Sequence, residues 1–326
     1  MRRLVSVLLA AVFIGPLVSL AQAADDYPSR PIRLAVGFAP GGATDVVARL
    51  ITGQLGQELG QTIVVENIAG ASGLLAWRNI AAANPDGYSL LMAENAIAIR
   101  PGFKDMTPVF DPLTQLEPVA AVAHSPLGLC VAGNVPANSV KELISLSRST
   151  AKKLNYASAG TGSVAQLVWE VVKHGAKIDA VDVPYRGGGP AMAAIIAGQV
   201  DLIMASTQVA KPLVEGKQIK AFAVTGKSRS PALPEVPTLA EAGIKTADVD
   251  LQFWFAVFAP KGLPEPIRAK LEGAIERTLK NPTIRERLAA LDITSDFRPG
   301  SPLKVQLQNE IKNWKTFIEA KDIKAQ

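Results

Sequence analysis

Cysteine and histidine are nearly missing from this chain: of 326 residues, one is cysteine and two are histidine. The single Cys130 lies inside the apolar stretch Leu127 to Val131, so it can form no internal disulfide and reads as a buried, unreactive thiol. His124 and His174 are far apart and neither has Cys, His or paired acids at ligand spacing, which removes a local metal motif. Neither G-x-S-x-G nor a P-loop occurs, and Ser158 and Ser163 have no local base beside them. No catalytic residue, metal or cofactor is therefore expected. Charged residues make up only 19 % of the chain and form no Lys/Arg block, so a nucleic-acid partner is not expected. Beyond the N-terminus no second long hydrophobic run occurs, and the protein is not expected to be membrane-embedded.

What is present begins with an export signal. Arg2 and Arg3 precede an apolar run from Leu4 to Leu20, interrupted by Gly15-Pro16, and Ala21-Gln22-Ala23 offers small residues for cleavage. Residues 1–23 read as a signal peptide of the general rather than twin-arginine route, with a periplasmic chain starting near Ala24. No cysteine follows to carry a lipid. Taking Arg2 and Arg3 from the 34 basic residues leaves 32 against 29 acidic ones, a nearly neutral exported chain long enough for about two domains.

From Ile32 onward, short β-rich runs alternate with helical patterns, the mark of an α/β fold with parallel strands under helices. Strands are expected at Ile32–Phe38, Ile63–Glu66, Ser89–Met92, Leu154–Ala157, Ala180–Val183, Val200–Met204 and Lys220–Thr225. Val47, Ile51, Leu55 and Leu59 fall on one face of a helix ending at Gly60. Near the C-terminus, Ile267, Leu271, Ile275 and Leu279 mark another. Asn281-Pro282 and Ser301-Pro302 each read as N-cap and first residue of a further helix. Two apolar segments, Val119–Val131 and Phe253–Pro260, read as crossings between lobes. Lobe 1 then comprises residues 24–122 and 250–326, and lobe 2 residues 123–249.

Three glycine-rich segments follow strands and open helices. Phe38-Ala39-Pro40-Gly41-Gly42-Ala43 precedes Thr44 and Asp45, where free helix amides and the helix dipole make a cradle for an anion. Asp45 is expected chiefly to satisfy loop amides, with ligand contact secondary. Ser158-Ala159-Gly160-Thr161-Gly162-Ser163 repeats the device in the other lobe, at the strand ends where open sheets bind ligands. The third segment offers Tyr185 as a ring wall and Arg186 as a carboxylate partner, a solvated surface charge being the plainer reading of Arg186. Gly160 to Ala165 also matches the dinucleotide pattern G-x-G-x-x-A, with Asp179 and Asp182 at about the distance for a ribose contact. Its mid-chain position and the scarcity of NAD outside the cytoplasm count against a dehydrogenase.

With Tyr27-Pro28-Ser29-Arg30-Pro31-Ile32, Ala39-Pro40-Gly41-Gly42-Ala43-Thr44-Asp45, Pro85-Asp86-Gly87-Tyr88, Leu154-Asn155-Tyr156-Ala157-Ser158-Ala159-Gly160 and Ser230-Pro231-Ala232-Leu233-Pro234-Glu235-Val236-Pro237-Thr238 in order, the chain resembles the Bug family, the TctC-like substrate-binding proteins of tripartite tricarboxylate transporters. The resemblance implies an α/β, two-lobed type II periplasmic-binding-protein fold with a ligand cleft between the lobes. It implies a binding protein, not an enzyme, that grips a small organic carboxylate through Phe38–Ala43 and Ser158–Ser163 and delivers it to a membrane permease of one large and one small subunit; a monomer is expected. Sensing for a membrane receptor and an exported enzyme are the alternatives. Two departures stand out. Glu94, beside Asn95, falls where the family places small hydroxyl-bearing residues or glycine; facing the cleft it would repel an anion and accept an ammonium or hydroxyl group, although an outward, solvated Glu94 is the ordinary expectation. Asn67-Ile68-Ala69-Gly70 lacks the usual Arg-Pro at the cleft rim.

Overall fold

The computed structural model describes residues 27–103, 110–149, 153–246 and 251–324; the signal segment, residues 1–23, lies outside them. The chain runs β1 (Ile32–Val36), α1 (Ala43–Leu59), β2 (Ile63–Asn67), α2 (Leu74–Ala81), β3 (Ser89–Glu94), α3 (Ala96–Ile99), α4 (Pro112–Gln115) and β4 (Leu116–Ser125). After Pro126 come β5 (Leu127–Ala132), α5 (Val140–Ser149), β6 (Leu154–Ser158), α6 (Val164–Ala176), β7 (Ala180–Pro184), α7 (Gly188–Ile196), β8 (Leu202–Ser206), α8 (Thr207–Glu215) and β9 (Ile219–Val224). The final elements are β10 (Phe253–Pro260), α9 (Glu265–Lys280), α10 (Pro282–Ala290), β11 (Thr294–Pro299) and α11 (Gly300–Ala320).

These strands form two sheets. One has the order β11-β4-β10-β3-β1-β2 and the other β7-β6-β8-β5-β9. In each, three mutually parallel strands lie in the order second, first, third, followed by an antiparallel strand: β10 beside β3, and β5 beside β8. That antiparallel strand enters directly after the chain has left the other sheet. β5 follows β4 across Pro126, and β10 follows the segment after β9. The two passages touch, because Phe253 at the start of β10 pairs with Ser125 at the end of β4.

The sheets are therefore mixed, not purely parallel as the sequence suggests. The apolar stretches Val119–Val131 and Phe253–Pro260 are themselves strands, β10 accounting for the second. Strands covered on both faces show no alternation, so nothing in their pattern announces direction or pairing. β11, with Asp296 and Arg298 among its six residues, was not foreseen; it is a partly exposed edge strand with an irregular register against β4.

Helix α1 forms where the period-four stripe predicts, with Val47, Ile51, Leu55 and Leu59 all buried and Gly60 ending it in the left-handed region at φ 71°. Its stripe shares a core with Leu271 and Ile275 of α9. Asn281 caps α10 as expected, accepting from the Thr283 and Ile284 amides. The Ser301-Pro302 expectation is corrected: α11 already begins at Gly300, whose amide donates to Glu272 at 3.1 Å, so Ser301 caps nothing. Among the described residues, no helix is long and apolar enough to cross a membrane.

Candidate functional site

Because β1, β3, β6 and β8 run parallel within their sheets, their C-terminal ends and the helices that follow gather between the two sheets. The cavity there encloses about 640 Å³ including its open mouth. Its walls include the first residues of four helices: Gly42, Ala43 and Thr44 at α1, Ser163, Val164 and Ala165 at α6, Gly188 at α7, and Ser206 ahead of α8. Each such end carries unpaired amides and a partial positive charge. The rest is mostly apolar, with Phe38, Leu127, Met192, Met204 and Phe253 among the wall residues. Among the described residues, Glu94 is the only ionisable side chain in that wall.

The loops are held from behind. Asp45, 4 % exposed, accepts from the Gly41 amide at 3.1 Å, from Arg49 Nε at 3.0 Å and from Asn67 Nδ2 at 2.9 Å. Burial alone would raise its pKa, but the bonds from Arg49, Asn67 and Gly41 together outweigh that and hold it below the usual carboxylate range. Asn67 also donates to the Phe38 carbonyl at 3.0 Å, so the residue just ahead of the position that lacks the family's Arg-Pro braces the first loop. In the second loop, Gly162 donates to Gln166 Oε1 at 2.6 Å and Ser163 caps α6 by accepting from the Gln166 amide. Tyr156 on β6 fixes the same helix start: its ring stacks on Trp169 at 4.6 Å and its hydroxyl donates to the Ala165 carbonyl at 2.5 Å.

A second compartment of about 570 Å³ shares Phe38 and Ala159 with the first and is walled also by Gly160, Thr161, Tyr185 and Arg186. Ser72 and Arg100 complete it on the other side. Across this mouth the lobes touch. Ser72 Oγ donates to the Thr161 carbonyl at 2.5 Å, and Gln208 Nε2 reaches the Ala43 carbonyl at 3.4 Å. Glycine permits the approach: a Cβ on Gly160, which sits at φ 105°, would stand 2.8 Å from Ser72 Oγ, and one on Gly189 would stand 2.9 Å from the Pro40 carbonyl.

Of the residues singled out in the sequence, Phe38, Gly42, Ala43, Glu94, Ala159 and Ser163 line the main cavity, and Gly160, Thr161, Tyr185 and Arg186 the outer compartment. Ala39, Pro40, Gly41, Asp45, Asn95, Ser158 and Gly162 line neither. Asn95 instead spans the second passage between sheets, donating from Nδ2 to the Gln252 carbonyl at 2.8 Å and accepting from the Trp254 amide at 2.9 Å. The expectation of an outward Glu94 is overturned. It is 2 % exposed, its Oε2 accepts from the Ala96 amide at 2.7 Å, and burial pushes its pKa up to about 8. Sequence reasoning missed Ser72, Arg100, Ser206 and Phe253. Ser206 was open to the strand-then-helix rule applied elsewhere, since it ends β8 and precedes α8.

The dinucleotide pattern finds no support in these contacts. Asp179 is a surface residue paired with Lys153 at 2.8 Å, and Asp182 accepts from Gln166 Nε2 at 3.2 Å. His124 faces Asp296 at 3.5 Å and His174 bonds the Glu170 carbonyl at 2.7 Å, both local roles. Cys130 is fully buried, and burial pushes its thiol up to about 12.

Two sheets of one order, each offering helix N-termini to a shared cleft, define a two-lobed solute-binding protein of the periplasmic class. The family model described as "Tripartite tricarboxylate transporter family receptor" matches residues 47–323, and the chain belongs to that family, the TctC or Bug proteins. It is 36 % identical over 315 residues to a protein of Agrobacterium vitis described as "UPF0065 protein in the TAR-I ttuE-ttuC' intergenic region", covering 95 % of this chain and 89 % of that one. Among solved structures it is similar to the periplasmic binding protein BugD, with 32 % identity, a TM-score of 0.87, and 92 % and 100 % of the two chains covered. It is also similar to MatC from Rhodopseudomonas palustris with bound malate, with 35 % identity, a TM-score of 0.82, and 89 % and 99 % covered.

Proposed function

We propose that this protein captures a small organic carboxylate between its two lobes outside the cytoplasm and hands it to a two-component membrane permease. The observation that carries the reading is the convergence of α1, α6, α7 and α8 N-termini on a cavity with no cationic side chain in its wall among the described residues. Helix amides then supply the positive potential, and a carboxylate is the group they suit. The malate bound by the related MatC supports the same class of solute. In this reading the grips are Phe38–Ala43 and Ser158–Ser163, with Tyr185 and Arg186 at the mouth. Asp45 and Asn95 act behind the site. The lobes exchange chain at Pro126 and ahead of Phe253, the exported form starts near Ala24, and it works as a monomer without catalysis. Closure is a hinge motion in which the solute bridges both lobes.

A thermal-shift screen with dicarboxylates, tricarboxylates, aromatic acids and amino acids tests this. Binding stabilises the native state by mass action, so a true solute at a hundred times its Kd adds about 2.7 kcal/mol. Stabilisation by at least one carboxylate is expected; none by any of them overturns the reading.

A further inference from the structure

A buried acid in the wall of an anion-binding cavity has to be accounted for. Glu94 ends β3, and β3 lies parallel to β1 with Ala35 level with Leu91 and Val36 level with Met92. Just past the end of β1, Phe38 lines the same cavity as Glu94. Glu94 therefore shares the cavity with the Gly42 and Ala43 end of α1, within the length of one small solute.

Its surroundings supply no counter-ion. Oε2 takes the Ala96 amide, and among the described residues no partner is bonded to the other oxygen. β3, α3 and β10 carry no other ionisable side chain; on β1 the only one is Arg33, at the end remote from the cleft and paired with Glu66 at 3.1 Å. Arg100, just beyond α3, turns to the Ala71 carbonyl at 3.1 Å and lines the outer compartment. On α6 the charged residues Glu170, Lys173 and His174 lie in its later turns. Burial raises the pKa of the Glu94 carboxyl, and the Ala96 amide lowers it by less.

An unpaired carboxylate in such a place costs several kcal/mol, which a cation of matching position removes. Among the described residues the wall provides none; without solute the carboxyl keeps its proton, and a solute that brings a cation lets it ionise. We infer that Glu94 is the ammonium-binding group of the cleft, and that the solute is an amino-carboxylate whose carboxylate sits on the helix N-termini while its ammonium group pairs with Glu94. This rests on the carboxylate reading above and narrows it. With Glu94 ionised, a solute of one carboxylate and one ammonium group leaves a single formal negative charge facing the helix N-termini, whereas a plain dicarboxylate leaves three.

The test uses pairs of compounds that differ chiefly in an amino group: succinate and aspartate, adipate and 2-aminoadipate, butyrate and 4-aminobutyrate, hexanoate and 6-aminohexanoate. Each is titrated calorimetrically into the protein purified after export, and into E94Q and E94D. The expected result is that at least one amino member binds ten times or more tighter than its partner, and that E94Q levels the two while E94D retains part of the difference. The wild-type comparison stands even if a variant does not fold. Binding of the plain acids as well as or better than the amino members overturns the inference and leaves the carboxylate reading intact; it points instead to a protonated Glu94 donating to a second carboxylate. Binding of no member of either series overturns the inference, and the carboxylate reading falls with it when the thermal-shift screen also shows no stabilisation.

Discussion

Ser72 and Thr161 meet across the cleft: the Ser72 hydroxyl donates to the Thr161 carbonyl at 2.5 Å, joining the loop after β2 to the loop after β6. Ser72 is held in the left-handed region at φ 53°, a backbone cost kept where the two lobes touch.

Replacing Ser72 by Ala removes that bond and keeps the backbone. One hydrogen bond is worth about 1 kcal/mol net, or roughly a fivefold shift from closed toward open. Small-angle scattering of the solute-free variant is expected to give a larger radius of gyration than wild type, and an unchanged radius would show that Ser72 does not latch the lobes.

Gly189→Ala places a methyl group 2.9 Å from the Pro40 carbonyl, where both partners are backbone. Alanine improves the helix by up to about 1 kcal/mol, so the melting temperature without solute is expected to hold or rise. Solute affinity is expected to fall about tenfold or more, because the lobes cannot finish closing. Separate melting curves with and without a bound carboxylate distinguish the two effects.

Glu94 makes folding sensitive to pH in a direction set by its raised pKa. An unfolded Glu ionises near 4.3, whereas folded Glu94 ionises at about 8, so between these values the folded chain holds a proton that the unfolded chain has lost. The stabilising contribution is complete below about pH 4 and is lost as pH rises through 8, at about 1.4 kcal/mol per unit. Urea unfolding at pH 5, 6, 7 and 8 should show this slope in wild type and its loss in E94Q. Equal slopes would place Glu94 in water.

Asp45→Ala strips three donors of their acceptor, those of Gly41, Arg49 and Asn67. The buried part of that loss costs about 1–3 kcal/mol. Because the folded Asp45 pKa is lowered, its contribution is present above the unfolded pKa and disappears as pH falls through the folded one. The wild-type and D45A stability curves are therefore expected to converge in acid, as read by chemical unfolding between pH 2 and 6.

Local periodicity made much of this molecule readable. The stripe on α1, the Asn281 cap and the strand-then-helix position of the two grips depend on neighbours in the chain, and all are found where their residues predict. Direction and pairing of β4, β5 and β10 do not. Their residues are buried on both faces, and only the full sheet decides which strand lies beside which. The same limit applied at the site. Glu94 could not be turned inward or outward from sequence, because its place depends on Phe253 and Leu127, residues far along the chain that share its cavity wall. Ser72 and Arg100 escaped notice for a similar reason: Ser72, although flanked by Gly70 and Gly73, and Arg100, ahead of Pro101-Gly102, reach the mouth only because the folded sheets bring their turns to it.

The pairing of Phe253 with Ser125 ties the two passages between sheets into a single ribbon. In the proposed hinge closure, two strands paired in this way would bend more readily about one axis than they would swivel. Phe253 is also part of the cavity wall, so a solute held in that cavity would lie against the joint. A solute too bulky there would prop the joint ajar before Ser72 could reach Thr161, so size is read at the pivot and completion of closure at the rim.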